Sequence, residues 1–125
     1  MSTSRVGTAV AWVLSGLLAL AFLASGVPKL LMIEVWARKF AQWGYPVWFL
    51  LLIGALEVGG ATLLLIPRWT RYGVLLLGVV MVGAMYTHVS NGEGLQVLRP
   101  LIVGAALGVL AWLRAPARPP ARAAG

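Results

Sequence analysis

Residues Pro46 to Pro67 read PVWFLLLIGALEVGGATLLLIP, a run of about twenty apolar residues. At ~1.5 Å per helical residue such a run crosses a hydrocarbon core ~30 Å thick. One carboxylate, Glu57, stands near its middle. An ionised acid at that depth costs roughly 2.5–3.5 kcal/mol on an insertion scale, so Glu57 is expected to face other helices and not lipid. Gly54, Gly60 and Ala61 fall about one turn before and after it, on the same face. Small residues there let a second helix come close, so these are the expected packing positions of this span.

The composition agrees with that reading. A chain of 125 residues makes one domain, and 61% hydrophobic with 10% charged residues lies far outside the soluble range. The net charge of +7 does not describe a nucleic-acid patch, because the basic residues sit at segment ends and in the tail, the pattern of a membrane topology. With no cysteine, the chain alone supports no dithiol, disulfide or thiolate-held cluster chemistry. Its one histidine cannot provide two axial ligands to a haem. No cofactor is therefore expected to be bound by this chain alone.

Working outward, four spans are predicted, over about 6–31, 46–66, 72–88 and 95–113. Together they form one membrane domain, 1–114, and the Pro/Ala/Arg tail 115–125 is expected to be disordered. The beginning of the first span could pass for a signal peptide, but the apolar run continues past Ala19-Leu20-Ala21, so an uncleaved anchor is expected. Lys29 closes that span, where its side chain is expected to snorkel to the surface. The connection MIEVWARKFAQWGY follows. Its Met32, Ile33, Trp36, Phe40 and Trp43 recur at helical spacing, which predicts an amphipathic interfacial helix over Ile33–Trp43, ended by Gly44. Pro67–Arg71 reads as a tight turn and Asn91–Gly94 as a polar turn. Gly104 and Gly108 form a GxxxG pair, an expected packing face of the last span. The predicted fold is thus an all-α integral membrane protein, a four-transmembrane-helix bundle with a short interfacial helix between the first and second spans.

Four spans put both termini on one side. Arg5, Arg68, Arg71, Arg114, Arg118 and Arg122 share it, whereas Lys29, Arg38, Lys39 and Arg99 share the other. That bias predicts cytoplasmic termini.

Few residues can carry chemistry, and no catalytic constellation is complete. Glu57, Lys29, His88 and Arg99 are the candidates for proton handling or for binding a polar ligand. Glu57 lies roughly 16 Å below Pro46, so a direct pair with Lys29 needs a re-entrant start to the second span, a tilt or a bridging water. A plainer role, a hydrogen-bonded acid that fixes helix register, competes with proton handling. Met81, Met85 and His88 share one helical face and make a weak set for Cu(I); packing explains such a set more simply, and no metal is expected.

Three motifs carry a resemblance. Ser25-Gly26-Val27-Pro28-Lys29 closes the first helix, Gly54-Ala55-Leu56-Glu57-Val58-Gly59-Gly60-Ala61 forms the second with Pro67-Arg68 after it, and Gly83-Ala84-Met85-Tyr86-Thr87-His88 ends the third. Over roughly residues 10–114 the chain resembles the DoxX-like family of small four-helix bacterial membrane proteins. The resemblance implies a place in the bacterial cytoplasmic membrane and Lys29, Glu57 and His88 as the matching polar positions. It also implies a small subunit of, or accessory to, a membrane oxidoreductase that meets the quinone pool. The expected partners are then the lipid bilayer and a soluble or membrane-bound oxidoreductase subunit, with a second copy of the chain left open. A non-catalytic scaffold or assembly partner is one alternative. A proton-coupled exporter is another, although small multidrug transporters of this size carry their glutamate in the first span and lack a charge bias.

Overall fold

A computed structural model describes residues 5–115. They form five α-helices: α1 (Arg5–Leu30), α2 (Glu34–Gln42), α3 (Val47–Leu64), α4 (Thr70–Ser90) and α5 (Leu98–Leu113). Short 3-10 turns, Pro67–Trp69 and Gly94–Val97, precede α4 and α5. Four of the helical stretches are long and apolar enough to cross a membrane, Arg5–Leu30, Val47–Leu64, Pro67–Ser90 and Gly94–Leu113. This is the four-span bundle that the sequence predicts, and no strand occurs among the described residues. Apart from Ala115, the predicted tail lies outside the described residues.

The spans pack as a ring, each antiparallel to its neighbours: α1 on α3, α3 on α4, α4 on α5 and, least extensively, α5 on α1. No diagonal pair makes backbone contact among the described residues. The ring is filled differently at its two ends. Away from α2, Ala11, Leu18, Phe22, Leu64, Leu77 and Leu110 interdigitate as a buried core. Towards α2 the ring stays open inside, and α2 lies across that mouth with only Phe40 fully buried.

The α1–α3 seam is the closest of these contacts. A methyl group on Gly26 would lie 2.9 Å from the Gly54 carbonyl oxygen, and one on Gly54 would lie 3.0 Å from both the Gly26 oxygen and the Lys29 Cβ. Those neighbours are backbone, or atoms next to it, and cannot give way, so only glycine allows this approach. Gly60 is likewise pressed, against Leu77, and Ala61 is wholly buried. The GxxxG pair of α5 behaves differently. A methyl on Gly104 would be 3.9 Å from the Met81 Cβ, and one on Gly108 would meet nothing. Gly108 turns away from the ring, so within this chain it is not a packing position.

Three helix ends close by one device. After α2, the Gly44 N–H donates to the Ala41 oxygen (3.0 Å) and the Tyr45 N–H to the Phe40 oxygen (2.9 Å), with Gly44 at φ 84°. After α4, Gly92 at φ 74° donates to Val89 (3.2 Å) and Glu93 to His88 (2.8 Å). After α1 the same bonds run from Met32 to Lys29 (3.1 Å) and from Ile33 to Pro28 (3.0 Å). This is the Schellman closure, which needs a left-handed residue just past the helix. Met32 takes that conformation at φ 54° without being glycine, at a cost of about 1–2 kcal/mol. Each closure folds the following residue back over the last turn, and the site depends on this.

The expected tight turn at Pro67–Arg71 is in fact a 3-10 turn running straight into α4. Thr70 is fully buried there and donates its hydroxyl towards the Leu64 and Ile66 carbonyl oxygens, both at 3.2 Å.

Candidate functional site

Lys29 and Glu57 form a buried ion pair. The Lys29 Nζ donates to the Glu57 Oε1 at 2.6 Å, and the side chains are 5% and 3% exposed. It also donates to the Ser25 Oγ (2.7 Å) and the Ser25 carbonyl oxygen (3.3 Å). All three ammonium donors are thus occupied, and the Trp36 ring lies 3.9 Å away as a fourth wall. The expected snorkelling of Lys29 is therefore wrong. The glycine seam sets Lys29 level with Gly54, two turns below the start of α3, and α2 fills the space above α1. The two ends of the span differ in height, so the pair closes without a bridging water.

Above the pair is a cavity of about 790 Å³ that draws its lining from all five helices. Its floor is Phe22, Ser25, Lys29 and Glu57; its roof is Trp36, Phe40, Trp43, Tyr45 and Phe49. The roof residues pack on one another, with Phe40 at the centre, 5.4 Å from Trp43, 5.8 Å from Tyr45 and 6.3 Å from Phe49 between ring centroids. Tyr45 also anchors the roof to α4. The Thr87 hydroxyl donates to the Gly83 carbonyl oxygen (2.9 Å), so the 2.6 Å contact between Tyr45 and Thr87 has the tyrosine as donor.

His88 and Arg99 line the same cavity. The His88 Nδ1 lies 2.8 Å from the Glu93 Oε1, and the Trp43 indole N–H donates to that oxygen at 3.2 Å. Arg99 is exposed and has no ion pair among the described residues. Of the weak metal set, Met81 and His88 line the cavity while Met85 does not, and His88 is occupied by Glu93. No group of three or more histidine, cysteine or acidic residues suited to a metal exists among the described residues.

The cavity thus gathers Lys29, Glu57, His88 and Arg99 but keeps two polar pairs apart, one on its floor and one at its mouth. Sequence reading missed Glu93, which had looked like a turn acid, the hydrogen bond of Trp43 to it, and the role of Tyr45. A signal was present. Gly44 and Gly92 each follow a helix by two residues, and a Schellman closure returns the next residue over the last turn. That places Tyr45 on Phe40 and Glu93 on His88.

The mouth pair gives a pH dependence. Its hydrogen bond from His88, aided by Trp43 and by the nearby charges of His88 and Lys39, holds the Glu93 carboxyl below its usual 4.5, against a smaller opposing effect of burial. A carboxylate with a depressed value stabilises the fold above its ordinary pKa and loses that contribution as pH falls through the lowered one. The Trp43 indole proton resonance should therefore show a step on acidification as pH falls through the lowered Glu93 value. Glu93→Gln should abolish that step; a step that survives the substitution would mean that another group holds Trp43.

The model of the DoxX-like family matches residues 13–113. The chain belongs to the DoxX-like family. The match takes in the first span of this DoxX-like protein from residue 13, the other three spans whole and every residue of the cavity. A relative, the uncharacterized protein YdgD of Bacillus subtilis (strain 168), is 33% identical over 80 residues, 61% of this chain and 70% of its own length. No solved structure matches the chain. Four apolar spans and the family together make the DoxX-like chain a multi-pass membrane protein.

Proposed function

We propose that the cavity receives the ring of a quinone and that the chain serves a membrane oxidoreductase, as a small subunit or accessory. It would do so in the bacterial cytoplasmic membrane with both termini in the cytoplasm. The observation that carries the reading is the joining of an aromatic roof to a buried Lys29–Glu57 floor in one cavity. Aromatic walls suit a flat ring. The Lys29 ammonium can donate to a ring carbonyl by exchanging its long 3.3 Å bond to the Ser25 carbonyl oxygen, and the adjoining carboxylate can take up or release the proton that reduction of such a ring requires. The chain supplies no redox centre, so electrons come from a partner subunit, and its own residues bind, orient and hold the proton.

A scaffold role draws on a single observation, the outward-facing Gly108, where a partner span can approach α5. It leaves the cavity without a purpose.

The test is purification from native membranes in lipid nanodiscs, followed by extraction and identification of bound quinones. We expect quinone at near-stoichiometric level with the native chain. Glu57→Gln should stay folded but lose activity with the partner enzyme, while Glu57→Asp keeps part of it. Quinone no more abundant than in discs of an unrelated four-helix protein, with a fully active Glu57→Gln, would sink the proposal.

A further inference from the structure

We infer that the cavity selects a ligand bearing a negative charge, an ionised oxygen acid on an aromatic body, and that Lys39 and Arg99 recognise that charge. The inference rests on the reading that the cavity takes a lipophilic ring, and it narrows the class of ring.

The argument is a charge count. The chain holds three acidic residues, and each has a partner: Glu34 is 2.6 Å from Arg38, Glu57 is 2.6 Å from Lys29, and Glu93 is 2.8 Å from His88. Three cations, Lys29, Lys39 and Arg99, line the cavity against one carboxylate, Glu57; Glu93 at the mouth feels the charge of Lys39, and neither Lys39 nor Arg99 has an ion pair among the described residues. Lys39 lies over the outer aromatic wall, 5.2 Å from the Trp36 ring centre, and it shares that ring with Lys29. Two ammonium groups on one indole repel each other, and the charge of Lys39 disfavours the ammonium of the buried Lys29. An anion in the mouth of the cavity relieves that repulsion, and Lys39 of α2 and Arg99 of α5 both line that cavity and are exposed. The Arg99 guanidinium adds geometry. Its fork matches two neighbouring oxygens, such as an ionised ring hydroxyl beside a ring carbonyl.

The probes are two naphthoquinones of similar size. Menadione is neutral, and 2-hydroxy-1,4-naphthoquinone is an anion at neutral pH with its charged oxygen next to a carbonyl. Binding is read from quenching of tryptophan emission, Trp36 and Trp43 being in the roof, with the chain in phosphatidylcholine nanodiscs and again in maltoside micelles, each corrected for ligand partitioning. We expect the hydroxy compound to bind at least about tenfold tighter, the worth of one charge-assisted hydrogen bond. Lys39→Gln with Arg99→Gln should bring the affinity ratio close to one, and Arg99→Lys should keep part of it. Equal affinities for the native chain would overturn this inference and leave the cavity reading standing, whereas no binding of either compound would overturn both. A preference seen in maltoside but absent in phospholipid would assign the two cations to lipid phosphates and likewise overturn it, as would a ratio unchanged in the double variant.

Discussion

Lys29→Met is expected to destabilise the bundle by about 3–5 kcal/mol, the usual cost of removing one partner from a buried ion pair. The methionine fills much the same space, so the loss is electrostatic. Glu57, 3% exposed, keeps a carboxylate with no cation and must take up a proton or draw in water. The informative variant is the double replacement, Lys29→Met with Glu57→Leu. Replacing a buried pair by apolar groups of similar volume is often neutral or even stabilising, so the double variant should regain most of what the single one lost. Unfolding in mixed detergent micelles gives all the stabilities needed for the cycle. A stable double variant that no longer binds quinone would mark the pair as retained for function at a cost in stability. A single variant that loses less than about 1 kcal/mol would mean that cavity water already solvates Glu57, and the dry floor would have to be abandoned.

The second large effect is expected at the roof. Phe40 is buried beneath Trp43, Tyr45 and Phe49 and is the one fully buried residue of α2. Phe40→Ala should cost about 3 kcal/mol, near the lower end for large-to-small changes in cores because α2 is short and can shift to close part of the gap. The aromatic contacts add about 0.5–1.5 kcal/mol each beyond buried area, so their loss should loosen α2 before the spans separate. The chain has no cysteine, and a single Ala84→Cys in the cavity wall therefore reports opening cleanly. Its reaction with a water-soluble maleimide should quicken markedly in the Phe40→Ala background. An unchanged labelling rate would show that α2 is not the cover of the cavity.

These two residues also show where sequence reading reached its limit. Four spans, their order and the existence of α2 follow from periodicity and apolar length, because a bilayer forces every backbone group into helix and fixes the length of each crossing. The acid at Glu57 and the small residues around it were equally plain, since a charge in such a run has to face a partner. The identity of that partner was not. Counting residues from Pro46 placed Lys29 too far away, and only the glycine-to-glycine approach of α1 and α3 brings it level with Glu57. The height offset between two antiparallel helices is a property of their packing and leaves no periodic trace in either one.

The roof divides in the same way. The sequence alone determined that Trp36, Phe40 and Trp43 lie on one face of a helix that Gly44 ends, and that Asn91–Gly94 is a polar turn. The tertiary structure decided that this face closes on a cavity and that Glu93 returns to His88 beneath Trp43. It decided as well that Arg99, in the fourth span, lines the same cavity as Lys39. Local patterns record which side of a helix is apolar; what that side meets depends on distant segments whose meeting is set by the shape of the whole ring.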